Sequence, residues 1–250
     1  MGMAFAGTGV WVLSGCATPR EQDPRPALRI GTLENAPPFS FREQGYWDGV
    51  EIELGIHLAA RLGMRPEFLP YPENRLERAL LNGDVDLIMA GFAITEERRT
   101  KLDFANPYLV AGQTALLRAE EAAHYNTAIK VQATTNRVGV LAHSTGEEYA
   151  VRYFTRAAHM VFTKQADAVQ ALLNDEIDLF IYDAPYAWWA TLRYEPRLAI
   201  APTLFAREEL AWAFRRGSVM LRESANQALA DWQANGTLDI ILHRWMPVSK

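Results

Sequence analysis

Three stretches of the sequence place charged or hydroxyl side chains at the predicted start of a helix, where a small ion could be held. In the first, Thr95 is a good N-cap and Arg98 follows within the first turn. A guanidinium beside unpaired backbone N–H groups is a receptor for a carboxylate, because its fork matches two oxygens and the helix dipole adds to the attraction. In the second, Ser144 and Thr145 each fit a capping box with a later glutamate. In the third, Asp183 directly follows an apolar run and could pair with an ammonium group.

Each of these stretches also has a purely structural explanation. Arg98 could be a surface arginine paired with Glu96 or Asp103, and Asp183 could cap the helix that begins at Ala184-Pro185. Taken one at a time, the structural role is the more common one. Taken together, the stretches offer two helix starts that accept an anion and one carboxylate, an arrangement that would hold a zwitterion.

The pattern of apolar residues predicts an α/β fold in which strands and helices alternate. Predicted strands cover residues 28–33, 66–71, 85–91, 137–141, 159–163 and 177–182. Predicted helices cover residues 49–62, 75–81, 166–173, a segment from about 146, and 221–245 with an interruption at Gly236. A polar turn feeding a buried strand occurs twice, as N-G-D-V-D-L-I-M-A and as N-D-E-I-D-L-F-I-Y. This repetition indicates two similar sheets and therefore two lobes.

Composition limits the class of protein. The chain has 250 residues, of which 49% are hydrophobic and 22% charged, the balance of a soluble globular protein. The formal net charge is −5 and no Lys/Arg-rich run occurs, which argues against a nucleic-acid partner. The histidines are scattered and no metal-binding spacing occurs, so we expect neither a metal nor a cofactor.

The single cysteine, Cys16, ends an apolar run. Residues 3–15 are apolar or small, a run shorter than the about 20 residues that span a bilayer but typical of a signal peptide. Leu13-Ser14-Gly15-Cys16 resembles the bacterial lipobox, in which the cysteine is lipidated and becomes the first mature residue. We therefore predict a lipoprotein signal peptide over residues 1–16 and an extended tether over 17–27. The alternative is a buried free thiol in an N-terminal strand.

The most distinctive pattern of the chain lies in residues 83–108, G-D-V-D-L-I-M-A-G-F-A-I-T-E-E-R-R-T-K-L-D-F-A-N-P-Y. It is similar to a pattern of G-x-x-D, a strand, T-x-E-R and D-F-S-x-P-Y, with Ala105 in place of the serine. That pattern is typical of the family 3 extracellular solute-binding proteins, the amino-acid receptors of ABC importers and their relatives. The resemblance runs from about Leu28 to Trp245 and is supported by V-G-V-L-A-H-S-T-G-E-E-Y, by the strand before Asp183 and by N-G-T-L-D-I-I-L-H-R-W.

The resemblance implies a two-lobed α/β fold of the periplasmic-binding-protein type II, with a mixed sheet flanked by helices in each lobe. Lobe 1 would comprise residues 28–114 plus 208–250, and lobe 2 residues 115–207. The chain would cross between the lobes near residues 111–117 and return near 205–211, through two hinge strands. The ligand would lie in the cleft and be enclosed when the lobes close.

The resemblance also implies roles for particular residues. Arg98 would bind the α-carboxylate of the ligand, and Asp183 would take its α-ammonium group. Around these two charges we expect the backbone N–H of Ala93, the carbonyl of Gly91, a hydroxyl from Ser144 or Thr145, and the side chains of Glu34, Phe39, Glu73 and Tyr182.

The part of the pocket that would recognise a ligand side chain departs from the family pattern. Leu33 and Ala36 stand where an acidic or polar residue and an aromatic platform often occur. Glu73 stands where an aromatic lid residue often precedes the second helix, and His143 replaces a usual glycine beside Ser144. The sequence therefore leaves the ligand side chain open.

These observations predict a solute-binding lipoprotein of the bacterial envelope, not an enzyme. It would capture a small carboxylate-bearing solute, an amino acid or a relative, deliver it to an ABC permease, and touch the membrane only through lipid at Cys16. Two alternatives remain open. Cyclohexadienyl and arogenate dehydratases resemble this fold, with Glu34, Glu73 or His143 as a possible general acid. R-I-G-T-L-E-N-A-P-P and G-Q-T-A-L-L-R also resemble the sensory lobe of membrane-bound lytic transglycosylases, which would make the chain a partner-binding module.

Overall fold

The structure is a computed structural model that describes residues 23–142 and 144–246. The predicted signal peptide with Cys16, residues 17–22 of the predicted tether, and His143 lie outside the described residues. Within the described ranges, no helix has both the length and the apolar character needed to cross a bilayer.

Short strands alternate with helices along the described chain. In chain order the strands are β1 (Ala27–Thr32), β2 (Phe41–Glu43), β3 (Tyr46–Asp48), β4 (Arg65–Pro70), β5 (Leu87–Ile88), β6 (Leu102–Phe104), β7 (Leu109–Arg118), β8 (Arg137–Leu141), β9 (Ala158–Phe162), β10 (Leu179–Asp183), β11 (Leu198–Ile200), β12 (Phe205–Leu210) and β13 (Ala213–Arg215). The α-helices are α1 (Val50–Arg61), α2 (Glu73–Asn82), α3 (Glu96–Arg99), α4 (Ala128–Gln132), α5 (Thr145–Tyr153), α6 (Gln165–Leu173), α7 (Ala184–Arg193), α8 (Val219–Ala234) and α9 (Thr237–Trp245).

The first sheet has five strands in the order β4-β1-β5-β13-β6. β1 pairs in parallel with β4 and β5, whereas β13 pairs antiparallel with β5 and β6, so the sheet is mixed. Val50, Leu54 and Leu58 of α1 are fully buried, because four-residue spacing places them on one face of the helix. They share a core cluster with Trp232 of α8 and Ile241 of α9, and α2 packs on the opposite face of the sheet.

The second sheet has the order β11-β7-β10-β8-β9, and β12 pairs with β7. β8 pairs in parallel with β9 and β10, whereas β7 runs antiparallel to β10, β11 and β12. Phe154 belongs to the cluster under α5, and Leu172 of α6 packs with Tyr186 of α7 in a second cluster. Two mixed sheets flanked by helices confirm the predicted α/β fold class.

Two stretches of chain join the sheets. β6 of the first sheet leads into β7 of the second, and β12 leads back into β13 of the first. β7 and β12 pair antiparallel, with an irregularity between Phe205 and Glu208. Gly112 approaches β12 so closely that a Cβ at this position would lie 2.5 Å from the carbonyl oxygen of Phe205. A side chain there would push the two connecting strands apart, so the close approach requires a glycine.

The predicted lobe boundaries fall inside these connecting strands. Positions 114/115 lie within β7 and positions 207/208 lie within β12. The boundaries stay a prediction, since both strands belong to the connection as well as to the second sheet. One predicted strand is shorter than expected: residues 85–91 form only Leu87–Ile88, because the chain turns at Gly91, where φ is 63°.

Candidate functional site

Two adjoining cavities open between the sheets, with volumes of about 510 and 400 Å³. Small-molecule sites typically measure about 300–1,000 Å³. The cavities share a wall that includes Phe39, Glu73, Gly91 and Asp183. Gly91 follows β5 of the first sheet and Asp183 ends β10 of the second, so a molecule in these cavities would touch both halves of the protein.

Arg98 lines the smaller cavity from the short helix α3. Its backbone N–H donates to Thr95 Oγ1 at 3.2 Å, so Thr95 is the N-cap that the sequence predicted. The guanidinium carbon lies 3.6 Å from the ring centroid of Phe92, and Nη1 donates to the carbonyl of Ala93 at 3.0 Å. These contacts fix the direction of the guanidinium.

The acidic partners of Arg98 are not the two that the sequence suggested. Nε donates to Glu77 Oε1 at 3.2 Å, and Nη2 lies 3.9 Å from Glu73 Oε1, both on α2. The Arg98 side chain is 21% exposed. The positive charge is therefore accessible from the cavity but already partly compensated.

Ala93 contributes its backbone to the same cavity. It forms an isolated antiparallel bridge with Leu210. The hydrogen bonds of this bridge come from neighbouring residues, with Ile94 N–H donating to Glu209 and Ala211 N–H donating to Phe92. In such a pair the N–H of Ala93 itself points away from Leu210 and is not used by the bridge.

Asp183 is the last residue of β10 and the N-cap residue of α7. Its side chain makes no capping hydrogen bond; Oδ1 accepts a 2.5 Å hydrogen bond from Gln113 Nε2, which also donates to Thr145 Oγ1 at 2.9 Å. Burial raises the pKa of Asp183, the bond from Gln113 lowers it, and the negative charge of Glu73 raises it again. A cationic group in the cavity would stabilise the ionised form of this carboxyl.

Glu208 is a second cavity carboxylate that the sequence did not single out. It lies on β12 and lines the same cavity as Arg98 and Asp183. Burial and the negative charge of Asp183 raise the pKa of Glu208, whereas Arg98 lowers it. The three charged groups are therefore close enough to interact. No sequence signal separates Glu208 from its neighbour Glu209, because only the strand pairing decides which of them faces the cavity.

The cavity walls carry more negative than positive charge. Among the described residues that line the two cavities there are six carboxylates, Glu34, Glu73, Glu77, Glu97, Asp183 and Glu208, and one guanidinium, Arg98. In the described part of the chain, no three His, Cys, Asp or Glu side chains are grouped so as to hold a metal ion. Such a surface favours a guest with net positive charge.

Of the two hydroxyls named from the sequence, Thr145 lines the cavity and Ser144 does not. Ser144 is the N-cap of α5: its Oγ accepts from Glu147 N–H at 3.1 Å and donates to the carbonyl of Leu141 at 2.7 Å. The sequence therefore placed the helix start correctly, but the Ser144 hydroxyl is used within that helix start.

Gly91 forms a turn against the ring of Phe39. Its φ of 63° lies in the left-handed region, and a Cβ there would lie 2.6 Å from the Phe39 ring. The N–H of Gly91 donates to Glu51 Oε1 at 3.0 Å. Glycine is needed both for the backbone angle and for the space.

The remaining predicted residues line the larger cavity. Glu34 and Glu73 are 68% and 74% exposed. Tyr182 accepts a hydrogen bond from Gln165 Nε2 at 3.1 Å, and burial together with the charge of Asp183 raises its pKa to about 12. Gln165 and Tyr186 complete this wall and were not predicted. The ligand contacts themselves stay a prediction.

Comparison with known proteins identifies a family. Residues 28–248 match the model of the bacterial extracellular solute-binding proteins, family 3. The L-cystine-binding protein TcyJ of Escherichia coli is 27% identical over 222 residues, covering 88% of this chain and 83% of TcyJ. The arginine-binding extracellular protein ArtP of Bacillus subtilis is 25% identical over 225 residues, covering 89% of this chain and 87% of ArtP.

The relatives include enzymes, and the similar structures include binding proteins. The cyclohexadienyl dehydratase of Pseudomonas aeruginosa is 27% identical over 158 residues, covering 63% of this chain and 59% of the dehydratase. The structure of an ancestral cationic amino acid solute-binding protein is 30% identical with a TM-score of 0.83, covering 88% of this chain and 95% of that chain. The resemblance read from the sequence and the type II two-lobed fold are confirmed. The chain belongs to the bacterial extracellular solute-binding proteins, family 3.

Proposed function

We propose that this protein captures an amino acid of net positive charge by closure of its two lobes and delivers it to an ABC importer. One observation carries the proposal: Arg98, Asp183 and Glu208 line one cavity although they come from different parts of the fold. A guanidinium and two carboxylates facing one guest match the charges of an α-amino acid.

The carboxylate of the ligand would lie against Arg98, the N–H of Ala93 and the hydroxyl of Thr145. Its ammonium group would lie between Asp183 and Glu208, two carboxylates whose pKa values are raised by burial. Because these charges are already held by Phe92, Gln113 and neighbouring groups, binding loses little freedom in the site itself.

The larger cavity would hold the ligand side chain. Its walls combine the carboxylates of Glu34 and Glu73 with the rings of Tyr71, Tyr182 and Tyr186. Carboxylates and aromatic faces both attract a guanidinium or ammonium group. The names of ArtP and of the ancestral cationic amino acid solute-binding protein agree with this preference.

Closure would take place between residues 28–114 plus 208–250 and residues 115–207, about the strands β7 and β12. Before that, lipidation at Cys16 would hold the protein at the envelope membrane, a role supported by Leu13-Ser14-Gly15-Cys16. Mass spectrometry of the envelope-purified protein tests the anchor: a diacylglyceryl-modified Cys16 at the mature N-terminus is expected, and an unmodified, uncleaved Cys16 contradicts it.

Calorimetric titration tests the proposed ligand. We expect L-arginine and L-lysine to bind more tightly than L-glutamine, and we expect L-glutamate not to bind. The reason is that the side chains lining the two cavities carry a net negative charge. Agmatine is the matched control, since it has the guanidinium and the primary amine of L-arginine without the carboxylate. Tighter binding of L-glutamate than of L-arginine, or no binding of any of these solutes, contradicts the proposal.

A dehydratase is the second candidate, favoured by two partly buried cavity carboxyls, Asp183 and Glu208, whose raised pKa suits a general acid. Glu34 and Glu73, suggested for this role from the sequence, are mostly exposed. Incubation with prephenate or arogenate distinguishes the candidates, because turnover that is lost in Asp183→Asn or Glu208→Gln would identify an enzyme. A partner-binding module would instead be found by capture of a cell-wall enzyme, and not of an importer permease, from envelope extracts.

A further inference from the structure

One buried carboxylate lies outside the cavity walls. Glu51 of α1 is 1% exposed. Its Oε1 accepts hydrogen bonds from Gly91 N–H at 3.0 Å and from Tyr108 O–H at 2.7 Å, and its Oε2 accepts one from Trp212 Nε1 at 2.9 Å. Burial raises the pKa of Glu51, its three hydrogen bonds lower it, and no basic side chain of the described residues contributes.

The three donors come from three different parts of the fold. Gly91 forms the turn that lines both cavities. Tyr108 immediately precedes β7, and Trp212 lies between β12 and β13. The ligand-facing turn and both connections between the sheets therefore meet at one side chain.

Only a carboxylate satisfies all three donors. An ionised carboxyl accepts and does not donate, whereas the indole and backbone N–H groups donate and do not accept. A glutamine at position 51 would place its NH₂ against either the Trp212 N–H or the Gly91 N–H, and an apolar residue would leave every donor unpaired. A buried donor without a partner is destabilising, so the local structure would shift to relieve it.

We propose that Glu51 is a positioning residue for ligand binding, which holds the Gly91 turn in one geometry with the two strands that connect the lobes. This inference rests on the proposed function in one respect, since it assumes that a ligand lies against Gly91. A shift of the turn would also move Phe39, because its ring lies where a Cβ of residue 91 would be.

A set of four variants tests the proposal: Glu51→Gln, Trp212→Phe, the double variant of these two, and Glu53→Gln. Glu53 is the matched control, because it lies on the same helix and also accepts from an indole N–H, that of Trp245, at 3.1 Å, but it does not contact the turn. Two measurements are made on the full chain: the dissociation constant for L-arginine, and the hydrogen exchange of the peptide that contains the Gly91 amide.

We expect Glu51→Gln to weaken L-arginine binding about tenfold or more and to speed exchange of the Gly91 amide. The reason is that the glutamine NH₂ would face a buried N–H group and leave it without an acceptor. In the double variant, affinity should return to within about threefold of Trp212→Phe alone, because phenylalanine offers no N–H to oppose the glutamine amide. Glu53→Gln should leave both measurements unchanged.

Two results would overturn the proposal. In the first, the Glu51→Gln variant melts at a lower temperature but keeps its affinity for L-arginine and its exchange rate at the Gly91 amide. In the second, the double variant does not recover the affinity of Trp212→Phe. If Glu51→Gln does not fold, Tyr108→Phe takes its place, with faster Gly91 exchange expected and unchanged exchange refuting the role. If the unmodified protein does not bind L-arginine, the proposed function fails, and the exchange of the Gly91 amide still decides whether Glu51 holds the turn.

Discussion

Replacement of Arg98 by alanine removes the one guanidinium among the described residues that line the two adjoining cavities. Loss of one partner of a buried charged contact in a complex typically costs about 2–5 kcal/mol. In the ligand-free protein, however, Arg98 already donates to Glu77 and to the Ala93 carbonyl, so a ligand carboxylate gains only part of that energy. We therefore expect the lower end of the range, a loss of L-arginine affinity of about 30- to 100-fold, or roughly 2–3 kcal/mol.

The assay is calorimetric titration of L-arginine and of agmatine against Arg98→Ala and against Arg99→Ala. Arg99 is the matched control, because it is the next residue of α3 and lines neither of the two adjoining cavities. Arg98→Ala should not weaken agmatine binding, since agmatine has no carboxylate and the variant removes a repelling charge. Equal losses for both ligands would refute the reasoning, because Arg98 would then hold the fold of the cleft and not the carboxylate. An unchanged affinity for L-arginine would refute it as well.

The other predictions use the same protein. Asp183→Asn should weaken L-arginine binding at least about tenfold yet raise the melting temperature of the ligand-free protein at pH 7, because a raised pKa means that ionisation of Asp183 disfavours the folded state; a lower melting temperature would contradict this. Gly91→Ala should destabilise by about 1 kcal/mol or more and weaken binding, whereas Gly45→Ala, also at positive φ but with no atom within 4 Å of its Cβ, should leave affinity unchanged. Burial alone would raise the pKa of Asp178, but its partners Arg137 and Arg118 lower it from 3.8 to about 2. Its contribution of about 2 kcal/mol is therefore complete above the unfolded pKa and lost as the pH falls towards 2; urea unfolding of Asp178→Asn across this range should show a flatter pH dependence, and an unchanged slope would contradict it.

Elements with a clear apolar pattern could be predicted from the sequence, whereas several very short strands could not. Val50, Leu54 and Leu58 repeat on one face of a helix, so α1 was placed within one residue at each end. The strand R-V-G-V-L was predicted with the bounds of β8. β6 and β13 have only three residues each, too few to show a period, and they are strands because neighbouring strands supply their hydrogen bonds.

The site was predicted where a strand passes into a helix and missed where a strand continues. Thr95 and Asp183 stand at such transitions, where residue type alone indicates a helix start, and these positions led to the cavity. Gln113 and Glu208 lie in the middle of the connecting strands, where side-chain direction depends on register and on the irregularity in β12. Ser144 and Thr145 are a similar case, because the sequence does not show at which of the two the helix begins. The first caps the helix and the second lines the cavity.

In the proposed closure, the irregularity in β12 would place a cavity carboxylate on one of the two hinge strands. Glu208 is the residue at which β12 resumes its pairing with β7, in a shifted register, directly after the interruption beside Gly112. A cationic group bound to this carboxylate would therefore act on a hinge strand itself and not on a more distant part of a lobe. Because this carboxylate would lie near the hinge axis, a small displacement of the ligand there would correspond to a larger displacement at the far ends of both lobes.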